Sequence, residues 1–204
     1  MAERSRPADG PGVERTITLV DAVVAIAMTL LVLPLVDAAS GLDIQDLRSL
    51  AVGRGNLLLT FVLSFVVIYA FWTAHGTLYR RLQEGDRDDV PWLSLINLGW
   101  LLAVAFLPFP TALIGRELTT GTAPIYLATL FVLSALTLGM TILVHRGVGL
   151  PVGPAWLTTA VFAVSLLTSL FDPRAAMYLL LALFVVRGIE DRAFNRAVAR
   201  AARN

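Results

Sequence analysis

Five stretches of this chain are each apolar for longer than the roughly 17 residues a helix needs to cross about 30 Å of hydrocarbon, and nothing else in the sequence restricts the fold so strongly. They run from about Thr16 to Val36, Asn56 to Tyr79, Val90 to Gly115, Leu118 to Val144 and Gly153 to Phe171. A sixth, Ala175 to Ile189, is uninterrupted only from Ala175 to Val186, between Arg174 and Arg187. It requires snorkelling arginines, thinned lipid or packing inside an assembly. Of the 204 residues, 57% are hydrophobic and 15% charged, too little polar surface for a soluble domain. The expected fold is an all-α integral membrane protein with six transmembrane helices.

The segments outside these spans are short. Residues 1–14 are rich in Pro, Gly and charge and read as a disordered tail, 15–189 as the transmembrane domain, and 190–204 as a basic C-terminal tail. The first span is too long for a signal-peptide core and reads as permanent. With the N-terminus inside, Arg48, Arg54, Arg116 and Arg174 fall outside and the other twelve arginines inside, which places both termini in the cytoplasm. The outer loop from Asp37 to Gly53 contains an amphipathic piece, LDIQDLRSLAV, readable as a short surface helix. Trp92 and Trp156 sit near span ends, where an aromatic belt places them. The arginines at 192, 196, 200 and 203 suit either anionic headgroups or a solvated tail. A net charge of +1 gives no reason to expect nucleic acid, and the absence of cysteine excludes disulfides and thiolate metal sites. No cofactor or metal is expected.

Within the first span, RTITLVDAVVAIAMTLLVLPL, an acidic residue demands explanation. Asp21 inside a span costs at least roughly 2.5 to 3.5 kcal/mol, so it is expected to face protein or water and to have a partner. At about 100° per residue, Ile26, Leu30 and Leu33 form a narrow stripe at roughly 0°, 40° and 340°, and Asp21 lies about 140° away. The stripe and the carboxylate therefore occupy different faces. Leu and Ile at helical spacing usually face lipid or a partner helix, so the stripe does not by itself identify a pore.

Phe61, Phe65, Ile68, Trp72 and His75 share one face of the second span. Asn97 is a polar residue early in the third, and Pro108 and Pro110 are expected to bend that helix near its outer end. Asp21 stands about 9 Å above Arg15, and by depth Arg15, Asp21, His75 and Asn97 share one cytoplasmic-side layer. A hydrogen-bonded network of these four with Trp72 packed over it would fix the rotation of the first helix. Alone, His75 reads first as a satisfied packing residue.

Three patterns, taken in order and spacing, resemble the prokaryotic branch of the transmembrane protein 175 potassium channel family. They are the first helix itself, the F-x-x-S-F-x-x-I-x-x-x-W-x-x-H run from Phe61 to His75, and Asn97 with F-L-P-F-P-T from Phe106 to Thr111. Arg15 and Asp21 stand where the family signature has them, while Leu19 and Val20 replace its Phe and Ser, which should weaken packing and hydrogen bonding around Asp21. The likeness covers roughly the first 115 residues. It implies a homotetramer in a bacterial plasma membrane, with a central pore lined by the first helix and no re-entrant loop. It also implies potassium-selective, leak-type conduction through a hydrophobic constriction at Ile26, continued by Leu30 and Leu33 with the Thr29 hydroxyl nearby. The potassium ion and the lipid bilayer are the expected partners.

Two other classes remain for comparison. Asp21 could carry a proton or sodium ion in a coupled secondary transporter, although no second acidic residue, inverted repeat or broken helix pair accompanies it. An enzyme is not expected, because His75 and His145 are the only histidines and no H-E-x-x-H or G-x-S-x-G occurs.

Overall fold

The computed structural model describes residues 11–40, 55–84, 92–148 and 156–180, and every statement of structure refers to these. In chain order they form α1 (Pro11–Leu30), α2 (Leu33–Ala39), α3 (Gly55–Glu84), α4 (Leu93–Phe106), α5 (Pro108–Arg116), α6 (Thr122–Val148), α7 (Trp156–Ser169) and α8 (Pro173–Leu179). Among the described residues, four helical stretches are long and apolar enough to cross a membrane: Glu14–Ala39, Leu57–Leu82, Leu93–Arg116 and Thr122–Arg146. The fifth expected span appears as the shorter apolar helix α7, and the sixth is described only as far as Leu180. The outer-loop helix proposed from LDIQDLRSLAV and the arginine-rich C-terminal stretch lie outside the described residues.

Proline explains both interruptions. Pro34 has no N–H to offer the Leu30 carbonyl, so α1 closes with a tighter bond from Val32 N–H to Thr29 O at 3.2 Å and restarts as α2 with Pro34 in its first turn. The first span is thus two helices where the sequence suggested one. In the third span Pro108 begins α5, and the last turn of α4 tightens in the same way, Leu107 N–H to Val104 O at 3.2 Å. This break falls where Pro108 and Pro110 place it.

At the centre of the described helices stands α6, packed against α3, α4, α5 and α7. Its hydroxyls are satisfied within the helix or against a neighbour, as an apolar surrounding requires. Thr129 and Thr141 bond back to carbonyls four residues earlier, and Ser134 meets Thr159 of α7 at 2.9 Å. A buried hydroxyl cluster ties three spans together near the α5 end. Thr111 donates to Ser64 at 3.0 Å, and Ser64 meets the Tyr126 hydroxyl at 3.1 Å. Close approach at this end also constrains Gly115, where a Cβ would come within 3.3 Å of the Leu57 side chain on α3. The helix α1 packs on α3 and α4, and the side of it turned away from them is left open.

Candidate functional site

The pattern of burial along α1 divides it into two faces. Val20, Val24, Ala27 and Leu31 are almost fully buried, and they fall at roughly 100° to 160° from Ile26. Opposite them, Leu19 is 53% exposed, Ile26 60%, Leu30 40% and Leu33 50%. The stripe of Ile26, Leu30 and Leu33 therefore points away from the chain's own core. It persists across the break at Leu31 and Val32, because Leu33 restarts the helix on the same open side. Thr29 is exposed on the flank of this face, and its hydroxyl donates to the Ile26 carbonyl at 2.8 Å.

Of the five polar and aromatic residues expected to anchor this helix, four form two pairs. On the flank of α1, Asp21 accepts a hydrogen bond from the Trp72 indole Nε1 of α3 at 2.7 Å. Such a bond to a carboxylate is short and strong for its kind, and it joins α1 to α3. Deeper in the fold, His75 Nε2 meets Asn97 Oδ1 at 2.8 Å, joining α3 to α4. The amide oxygen is an acceptor, so the imidazole donates from Nε2. Arg15 makes no hydrogen bond with either pair and is exposed. The helix wheel gives the reason: Arg15 lies at roughly 340° from Ile26 and so belongs to the open face, far around the helix from Asp21.

Sequence reasoning put Trp72 over the imidazole, whereas the rings that sandwich His75 are Tyr79, with centroids 4.6 Å apart, and Trp100, at 4.5 Å. Trp100 is fully buried and donates from Nε1 to Thr137 of α6 at 3.0 Å. It links the His75 layer to the central helix. Its signal in the sequence was the spacing from Asn97 to Trp100, three residues on one helix face. Where the family signature has a serine, Val20 is 2% exposed and packs as an apolar residue, so the hydrogen bond Asp21 makes here comes from Trp72. Leu19, in the place of the family's phenylalanine, lies on the open face.

Residues 15–108 match the family model described as the endosomal/lysosomal potassium channel TMEM175. These residues are similar to the TMEM175 family. The segment is 33% identical over 99 residues to a potassium channel of Chamaesiphon minutus, a likeness spanning 48% of this chain and 47% of that one. It is 26% identical over 100 residues to the human endosomal/lysosomal proton channel TMEM175, 49% of this chain and 19% of the human protein. The aligned part thus spans less than half the length of either relative. The fold extends further: the crystal structure of the TMEM175 homologue from Chamaesiphon minutus superposes with a TM-score of 0.65 over 94% of this chain and 97% of that one, at 20% identity. Asp21, Trp72, His75 and Asn97 all lie inside the matched segment, as does the open face of α1.

Proposed function

We propose that this chain is one subunit of a passive, potassium-selective channel in which four copies surround a pore lined by the open face of α1. The observation that carries this reading is the exposure of Ile26, Leu30 and Leu33 on a helix whose other side is packed and whose rotation is pinned by Asp21 and Trp72. The family of residues 15–108 supports it. A ring of four isoleucines excludes ions by dewetting when narrow and admits them when slightly wider. Selection then follows from dehydration, since sodium holds its water more tightly than potassium. The Thr29 oxygens, one turn beyond Ile26, offer an ion partial replacement for the water it sheds. In this reading the channel lies in a bacterial plasma membrane with both termini cytoplasmic and requires neither cofactor nor catalysis.

Flux into liposomes tests this proposal against ion-coupled transport. Purified protein should pass potassium down its gradient with no opposing proton or sodium gradient, and pass sodium more slowly under the same gradient. Asp21→Asn should still conduct, because an amide oxygen also accepts the Trp72 N–H. Flux that needs a counter-ion and vanishes in Asp21→Asn would assign the carboxylate a carrier role and overturn the channel.

A further inference from the structure

The breaks at Pro108 and Pro34 treat the carbonyls they free in opposite ways. At the junction of α4 and α5, Pro108 withholds an N–H from Val104, but the Leu107 N–H turns to that oxygen at 3.2 Å and satisfies it. At the junction of α1 and α2, Pro34 withholds an N–H from Leu30, and the tightened bond runs from Val32 to Thr29 instead. Among the described residues the Leu30 carbonyl accepts no hydrogen bond. An unpaired backbone oxygen at membrane depth is costly, and such backbone is tolerated where it lines a water-filled path.

A helical carbonyl points along the axis towards the residue four positions on, so the Leu30 oxygen lies on the side shared by Leu30 and Pro34, about 40° apart. Leu30 is 40% exposed on the open face, and Pro34 is half-buried at its edge. The Leu31 carbonyl is bypassed too, because the Leu35 N–H turns to Val32 at 2.9 Å, but Leu31 is 1% exposed and belongs to the packed side. We propose that the Leu30 carbonyl is a contact site for the permeating monovalent cation, one oxygen from each copy of the chain, held on the open face by the break at Pro34. Leu30 stands one turn, about 6 Å, beyond Ile26. Backbone carbonyls can replace the water of an alkali ion, so an ion that sheds water at Ile26 regains a ligand within a turn. The ring of four oxygens rests on the channel reading, whereas the unpaired carbonyl does not.

Pro34→Ala restores the missing donor and closes the helix over the Leu30 oxygen; Pro110→Ala does the same for Phe106 on α4, away from the open face. In liposomes the first should lower the potassium to sodium flux ratio about threefold, and the second should leave it unchanged. Because straightening α1 also shifts Ile26, a further variant keeps Pro34. Replacing Leu31 by its α-hydroxy acid makes the Leu30 carbonyl that of an ester, a weaker ligand, and should lower the ratio in the same direction. Crystals of the full chain grown with rubidium in place of potassium should show anomalous density in contact with the Leu30 oxygens, lost in Pro34→Ala. No such density in wild type, an unchanged ratio in the ester variant, or an equal loss in Pro110→Ala overturns the site. Rubidium at Leu30 in protein that passes no potassium upholds a cation site and removes the channel reading. Selective flux untouched by the ester upholds the channel and removes the site.

Discussion

Ile26→Asn should raise basal potassium flux about tenfold, equivalent to removing about 1.4 kcal/mol from the barrier, and bring the potassium to sodium ratio close to one. Ile26 is 60% exposed and contributes little to its own subunit's core, so the substitution should leave folding almost unchanged. In the proposed tetramer, four amides in place of four branched alkyl groups would wet the constriction and spare sodium the dehydration proposed to slow it. Single-channel recording of wild type and variant under bi-ionic conditions measures both quantities together. Unchanged permeability ratios would remove Ile26 from the filter.

The second large effect is on stability. His75→Leu deletes the donor to Asn97, whose side chain is only 4% exposed, and also breaks the stacking with Tyr79 and Trp100. An orphaned buried acceptor costs about 1 to 3 kcal/mol and each lost aromatic contact about 0.5 to 1.5. We expect a loss of about 3 kcal/mol, read as the shift in a chemical or thermal unfolding midpoint in detergent. Adding Asn97→Leu should recover part of that loss, because both polar partners are then gone. A double variant as unstable as the sum of the two singles would show that the pair is not coupled.

How much of this was legible in the sequence depends on the range of the interaction. The long apolar runs gave four of the spans, because backbone satisfaction in lipid leaves a run of that length little choice but helix. The open stripe on α1 was equally legible, since helical period alone separates Ile26 from Val24 and Ala27. Pro108 announced the break in the third span, but the break at Leu31 came from Pro34, a residue near enough to the expected span end to read as its terminus. Depth along the helices brought Asp21, Trp72, His75 and Asn97 together. It could not divide them into two pairs, because that division depends on how α3 and α4 rotate against α1. The cluster of Ser64, Thr111 and Tyr126 and the pair of Arg81 and His145 were out of reach for a similar reason. Each joins residues dozens of positions apart with no local pattern to announce it.

The open face of α1 is the centre of the account, and the natural lack of cysteine allows a direct measurement of whether it lines the ion path. Ile26→Cys in liposomes, treated with a charged, membrane-impermeant thiol reagent during potassium flux, should be modified and lose most of its flux, faster when potassium is flowing than when it is not. Leu98→Cys, equally exposed but on α4, should keep its flux under the same treatment. Block at Leu98→Cys with none at Ile26→Cys would contradict the account, placing α1 against lipid and the pore elsewhere.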